Sequence, residues 1–373
     1  MAKIVGIISF MNAAGAQEAL LRVSRGLRAR GHNIEVWFLY EEDSIHANEP
    51  HIRVFEHKTR LTPLEYVKVF LRLRSELKAA APDSVVGFLP LGNVFGMTAA
   101  YLAGVPWRVA SQRAPGPTFG KAMRILDRYL GASNVYQKIV CVSDAVRRSF
   151  HDYAPEYRKK LSVVHNGIEW TPSNASKEEA RRILGLAPDA FIFGAIGRMK
   201  VQKNYFFMLD AFAGTSNGIL AIAGDGMLRP ELEQHARKLG IENRVLFMGA
   251  LDRQEIRHFL KAMDVFVQTS LYEGQSNAVL EAMHAGLPMV LSDIPEQRET
   301  VVDEAGDACS LLAPLGDLPA WQKALQELVD WPEVRAALGE GATRHVNARF
   351  TLDAMIDGFE RALVNDHPST SAR

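Results

Sequence analysis

Cysteine is nearly absent: Cys141 and Cys309 are the only two in 373 residues. That excludes a disulfide framework and suits a reducing, cytoplasmic compartment. Long hydrophobic runs are missing too. The start, MAKIVGIISF, has one lysine and a short apolar run, far below the ~20 residues of a membrane span. It lacks a signal-peptide pattern and reads as a first buried strand. No D-x-D and no His/Cys cluster occurs, so no metal and no other cofactor is expected. GIISFMNAAGAQ does not supply G-x-G-x-x-G, which argues against an NAD enzyme. Neither charge sign is in excess, with 43 Lys+Arg against 43 Asp+Glu, and no nucleic-acid partner is expected. The charge is unevenly spread, however. Residues 1–168 hold 23 basic against 14 acidic residues, and the remainder 20 against 29. That asymmetry points the first half toward something anionic, a lipid surface or a phosphate, or else reflects solvated faces that happen to differ.

What is present is alternation. Short apolar runs alternate with longer amphipathic stretches, the mark of βα units and a mainly parallel sheet. The expected strands are KIVGIIS, IEVWFLY, SVVGFL, WRVAS, KIVCVS and LSVVHN, then FIFGAIG, ILAIAG, RVLFMG, VFVQTS, PMVLSD and ACSLLAP. Between the two sets lies EWTPSNASKEEARRILGLAPDA, which has no strand signal and marks a linker near 168–178. The expected fold class is α/β: two doubly wound parallel-sheet domains, 1–168 and 169–350, with a cleft where the C-terminal strand edges meet. A last helix at about 351–365 is expected to pack back on the first domain. Ligands of such sheets bind beyond the strand edges.

The strand ends of the second half carry the chemistry. FIFGAIG leads to Arg198, Lys200 and Lys203-Asn204, ILAIA to Gly224-Asp225-Gly226, and RVLFM to Gly249 and Leu251. VFVQTS leads to SLYEGQSNAVLEAMHAG, with Glu273 and Glu281 eight residues apart. Cations at one loop and glycines at the next favour an anionic ligand. Gly274 permits a tight turn, and Ser276 or Asn277 can cap the following helix. The positive end of that helix is a binding place for phosphate, with Arg198 and Lys203 as counter-charges. Glu281 lies roughly 6 Å farther along the axis, suited to sugar hydroxyls rather than phosphate. Ribose, pyrophosphate and sugar, in that order, would match the spacing. Lys200, His32, His165 and His284 read as surface or structural residues, and Asp225 either orients its turn or touches ligand.

Together, Glu273–Glu281, Gly197-Arg198…Lys203-Asn204, the GDG at 224–226 and Asn166-Gly167-Ile168 resemble the retaining glycosyltransferases of family 4, which have the GT-B fold. The resemblance spans nearly the whole chain and is strongest from 165 to 300. It implies that Glu281 binds the donor ribose, that Arg198 and Lys203 hold the diphosphate, and that Glu273 contacts the transferred sugar. Gly274, Gln275, Ser276 and Asn277 complete the donor contacts, with Gly15, Gly197, Gly224 and Leu251. Where the family has two adjacent glycines after the first strand, this chain has Ala14-Gly15. Where many members have a histidine, it has Ser111-Gln112-Arg113. No histidine role carries over. Arg113 is a candidate for the acceptor or the donor side, and is placed with Asn12 on the acceptor side.

The expected activity is transfer of a sugar from a UDP- or GDP-sugar to a hydroxyl of a glycan or lipid-linked acceptor, in cell-surface polysaccharide or glycolipid synthesis. The alternatives are a sugar-nucleotide epimerase of the same plan and a non-catalytic nucleotide-sugar binding protein. The stretch RLTPLEYVKVFLRLRSELKAAAP, with Leu64, Val67, Val69, Phe70, Leu71 and Leu73 as a mostly apolar side beside basic residues, adds the expectation of a peripheral contact with anionic membrane.

Overall fold

A computed structural model describes residues 1–11, 15–41 and 51–366 of the chain. It divides into two compact units, Met1–Gly167 joined by the chain from Leu352, and Ile168–Thr351.

The first unit holds seven strands, all parallel: β1 (Lys3–Met11), β2 (Asn33–Glu41), β3 (Ile52–Val54), β4 (Ser84–Phe88), β5 (Trp107–Gln112), β6 (Lys138–Cys141) and β7 (Leu161–Val163). Their order is β3-β2-β1-β4-β5-β6-β7. Ile4 of β1 stands beside Ile34 on one side and Ser84 on the other. Val5 and Ile7 face a core shared with helices Pro63–Ala80, Met97–Ala103 and Lys121–Ala132, while Ile4 and Ile8 face the opposite core. Covering both faces is why these strands read as nearly unbroken apolar runs. β3 is absent from the strands expected above, because three half-buried residues make too short a run to stand out. The apolar stretch LSVVHN contracts to the three residues of β7.

The second face is closed by helix Gly15–Ala29 and by helix Leu352–Glu360, which comes from the C-terminal part of the chain. A Cβ on Gly26 would lie 2.1 Å from the Ile356 side chain, so the two helices meet at a glycine. Phe88 stacks on Phe359 at 5.7 Å, and the Trp107 indole donates to the Ala362 carbonyl at 2.7 Å.

The second unit has six parallel strands: β8 (Ile192–Ile196), β9 (Ile219–Ala223), β10 (Val245–Gly249), β11 (Val265–Gln268), β12 (Met289–Ser292) and β13 (Leu311–Ala313). Their order is β10-β9-β8-β11-β12-β13. The order reverses between β8 and β11, and an open parallel sheet binds its ligand at such a reversal, beyond the carboxyl ends of the strands. The loops that follow β8 and β11 are those that carry Arg198 to Asn204 and Glu273 to Ser276.

Candidate active site

Three strand ends of the second unit are drawn together by their backbones. The Gly197 N–H donates to the Ala223 carbonyl at 2.9 Å, and the Gly224 N–H to the Gly249 carbonyl at 2.7 Å. Gly224 sits at φ +138°, and a Cβ there would be 2.2 Å from the Gly197 oxygen. Only glycine allows that approach. Asp225 orients the turn, its carboxylate accepting from the Gly226 N–H at 2.7 Å.

The loop after β8 concentrates positive charge. Arg198 and Lys200 are exposed, whereas the Lys203 side chain is 13% exposed and its Nζ lies 2.7 Å from Oε1 of Glu273. Although much of the Lys200 side chain meets solvent, desolvation by the surrounding protein first, and then the charge of Lys203, hold its ammonium below the usual lysine range; Glu273 opposes the shift and Arg198 adds to it. Such crowding of cations is what an anionic ligand would relieve.

Glu273 itself is buried and tightly held. Ser270 donates its hydroxyl to Oε1 at 2.7 Å, and the amides of Gln202 and Gln268 each approach at 3.4 Å. Gln268 also accepts from the Ser276 hydroxyl at 3.0 Å, linking the carboxylate to the start of the next helix. The loops after β8 and β11 are stitched by Leu271 N–H to the Gln202 carbonyl (2.8 Å) and by the Thr269 hydroxyl to the Lys203 carbonyl (3.0 Å). Gln202, Gln268 and Ser270 are absent from the residues singled out in the sequence. Gln268 had a signal, being the polar residue that interrupts the apolar run VFVQ.

Helix Asn277–His284 begins directly after this turn, with Ser276 as its N-cap, accepting from the Val279 N–H at 3.4 Å. Its positive end therefore lies at Gly274, Gln275 and Ser276. Gln275 and Ser276 are buried, and Glu281 is half-buried on the second turn. His284 is the helix's last residue and stacks against Trp170. Leu251, in the loop after β10, packs against the unit's apolar core. In the first unit, Gly15 opens its helix and is exposed, while Arg113 directly follows β5. Asn12 and Ala14 lie outside the described residues. Among the described residues, no group of three or more His, Cys, Asp or Glu side chains is placed to hold a metal ion.

Glu296, in the first turn after β12, is a further acid of this region. Burial, and then the negative charge of Glu273, raise its carboxyl from 4.5 to about 7. A carboxyl raised on folding stabilises the protein fully below its unfolded value and loses that contribution as pH rises through about 4.5 to about 7. Glu296→Gln, always neutral, should therefore exceed the native thermal midpoint by more at pH 8 than at pH 5. Equal differences at the two pH values would refute the burial argument.

The same two modules appear when the chain is compared with known proteins. Residues 13–170 match the model of Glycosyltransferase Family 4, and residues 176–345 that of Glycosyl transferases group 1. The putative glycosyltransferase EpsF of Bacillus subtilis is 30% identical over 311 residues, 78% of this chain and 79% of that protein. The chain belongs to glycosyltransferase family 4.

A further relative of this glycosyltransferase is the UDP-Gal:alpha-D-GlcNAc-diphosphoundecaprenol alpha-1,3-galactosyltransferase of Escherichia coli, 28% identical over 71% of this chain and 70% of that one. Among solved structures, Anabaena Alr3699/HepE in complex with UDP-glucose superposes with a TM-score of 0.84 at 19% identity, covering 96% of this chain and 98% of that one. The fold is GT-B. Arg198, Lys203, Glu273 and Glu281 all lie within the group 1 match, and Arg113 lies within the family 4 match.

Proposed function

We propose that this enzyme transfers a sugar, with retention at the anomeric carbon, from a nucleoside-diphosphate sugar to a hydroxyl of a glycan or lipid-linked acceptor in cell-surface polysaccharide or glycolipid synthesis. The observation that carries the donor assignment is the second unit's switch point. Three cations of one loop, the positive end of helix Asn277–His284 and the carboxylates Glu273 and Glu281 gather at the two loops that border it. In this reading the first unit serves the acceptor and the second the donor. Arg198, Lys203 and the helix start stabilise the departing diphosphate, the preorganised-donor strategy, and Glu281 accepts from ribose hydroxyls. Glu273, already bonded to Lys203, Ser270 and Gln202, orients the transferred sugar rather than attacking it. A covalent carboxylate route needs a nucleophile beneath the sugar. A front-face route, in which the leaving phosphate accepts the acceptor's proton, fits the bonded state of Glu273 better. The relative named for UDP-Gal and the neighbour solved with UDP-glucose make UDP the first nucleotide to test, ahead of GDP.

Calorimetry with UDP and GDP tests the donor site. Glu281→Ala removes a charged acceptor worth about 1.5–3 kcal/mol, so the preferred nucleotide should bind about 10–150-fold more weakly. Unchanged affinity in the folded variant would remove Glu281 from the site. EDTA should leave turnover intact, and a strict metal requirement would overturn the metal-independent mechanism.

The membrane contact belongs to the same reading, with a changed geometry. Helix Pro63–Ala80 does not present one apolar side. Val69, Leu73 and Leu77 are buried against the sheet, while Leu64, Val67 and Leu71 are 65%, 54% and 57% exposed. Helix Lys121–Ala132, covering the same face of the sheet, exposes Ile125, Leu126 and Tyr129 in the same way. The exposed Lys68, Arg74, Lys121 and Arg128 accompany these residues, whereas the acidic Glu65 and Glu76 are paired with Lys58 and Arg53. An anionic lipid surface complements that pattern, at about 1 kcal/mol per basic residue near it. Among the described residues no helix is long and apolar enough to cross a membrane. Flotation should therefore recover the protein with anionic vesicles at low salt and release it at high salt. Protein that stays at the bottom of the gradient with anionic vesicles at low salt would refute the contact.

A further inference from the structure

Among the described residues, two arginines are buried and satisfied by their surroundings, and a third, half-buried one carries a buried nitrogen that is not. Arg108, 6% exposed, donates to the carbonyls of Val105, Pro106, Asn134 and Val135. Arg181, equally buried, reaches Asp264 at 2.7 Å and the Ala262 carbonyl at 3.0 Å. Arg113 has no such set. Its guanidinium lies 5.2 Å from the Phe88 ring centroid, and Nη2 donates to the Asn166 side-chain oxygen. Nη1 is buried and has no acceptor among the described residues. Burial first, and then the neighbouring cation Arg22, disfavour the charged form of Arg113, with the Cys141 thiol opposing them. Arg22 comes from helix Gly15–Ala29 and donates to the Gly167 carbonyl at 3.0 Å. Two guanidinium groups thus converge on the dipeptide Asn166-Gly167, and among the described residues none of Arg113's contacts is a carboxylate.

A buried cation without a counter-ion costs stability, and removing it is often neutral or stabilising. Retaining one at a ligand-binding edge is the usual exchange of stability for function. The position is such an edge. Arg113 follows β5, and Phe88 ends β4, the strand beside which the order of the first sheet reverses. The side chain is also preorganised, with one flat face on Phe88, one nitrogen held by Asn166 and another without an acceptor among the described residues.

We propose that Arg113, with Arg22 beside it, forms an anion-binding site in the first unit that takes a phosphate group of the acceptor. The planar fork of an arginine suits two oxygens of a phosphate. The word acceptor rests on the donor assignment made above, since the donor's own phosphates are there given to Arg198 and Lys203. The anion site itself does not depend on it.

Inorganic pyrophosphate is the probe, titrated into the full chain and into Arg113→Gln, first alone and then with UDP at saturation. In anion-free buffer Arg113→Gln should melt at or above the native midpoint. The native protein should bind pyrophosphate in the presence of UDP, and Arg113→Gln should bind it about tenfold or more weakly, the size of one lost charge-assisted hydrogen bond. Equal pyrophosphate affinity in the two proteins would overturn the site. A lowered midpoint with an unchanged pyrophosphate response would make Arg113 a structural residue. If UDP abolishes the Arg113-dependent binding, the phosphate belongs to the donor and the acceptor assignment falls. If UDP does not bind at all, the donor reading fails, while the comparison in pyrophosphate alone still decides the anion site. Should Arg113→Gln not fold, Arg113→Lys keeps the charge and loses the fork, and its pyrophosphate affinity should fall in the same direction.

Discussion

Lys203→Ala should lose both turnover and stability, whereas Arg198→Ala should lose turnover alone. Both cations belong to the loop after β8, and from sequence the two are expected to act alike on the diphosphate. The structure separates them. Arg198 is exposed, and a surface truncation of this kind changes stability by about 0.5 kcal/mol or less. Lys203 lies 2.7 Å from Glu273 with both side chains largely buried, at 13% and 9% exposure. Removing it leaves a buried carboxylate whose remaining hydrogen-bond donors among the described residues, Ser270, Gln202 and Gln268, are neutral, with the more exposed Lys200 as a nearby charge. Breaking a buried pair from one side costs about 3 kcal/mol or more, which lowers the midpoint of a domain this size by about 6–12 °C. Losing one preorganised charge at a leaving group costs about 10²–10³ in kcat, and this should hold for both variants. The double variant Lys203→Ala, Glu273→Gln removes the stranded charge, so it should recover most of the midpoint and none of the turnover. Melting curves and turnover with the preferred UDP-sugar measure all of this. A Lys203→Ala protein with a native midpoint would show that the ion pair contributes nothing, and high turnover in both single variants would end the diphosphate assignment.

Gly224→Ala should also be damaging, by a route that touches no ligand. The added Cβ would sit 2.2 Å from the Gly197 oxygen and 2.8 Å from its carbonyl carbon, at φ +138°. Backbone cannot give way as a flexible side chain does. The strained dihedral costs about 1–3 kcal/mol and the overpacking a similar amount. The Gly197 peptide also receives the Tyr205 hydroxyl at 2.9 Å and leads directly into Arg198. Displacing it by an ångström should lower kcat by about 10². Gly240→Ala is the control. Gly240 also has a positive φ, +69°, but nothing lies within 4 Å of its added Cβ, so it should cost about 1–2 kcal/mol and leave kcat alone. Equal kcat in the two variants would show that packing of the β9 turn against Gly197 does not position Arg198.

Much of this enzyme is written in short stretches of the sequence. Alternating apolar runs and amphipathic segments are enough to set out two parallel-sheet domains, because strand and helix periods are local properties of a few neighbouring residues. The strand ends with chemistry are equally visible: a glycine, a cation or a carboxylate following an apolar run marks a βα loop. The helix that starts at Asn277 follows from the capping chemistry of Ser276, and the spacing from Glu273 to Glu281 can be read directly. β3 is too short to show.

Pairings across long separations depend on strand order, and only the tertiary structure decides them. Placing β11 beside β8 brings Lys203 to Glu273 over 70 positions and makes the carboxylate a bonded, buried group. The two sides of helix Pro63–Ala80 likewise look like one apolar set until the sheet takes Val69, Leu73 and Leu77 and leaves Leu64, Val67 and Leu71 outside. Arg113 follows an ordinary strand in the sequence. That one of its nitrogens is buried with no acceptor among the described residues is a property of its setting between Phe88, Asn166 and Arg22, three residues from distant parts of the chain. Local periodicity and turn chemistry determined which elements form and which side chains stand at their ends. Burial and electrostatic partnership, which sum over neighbours brought in by the fold, were decided by the packing alone.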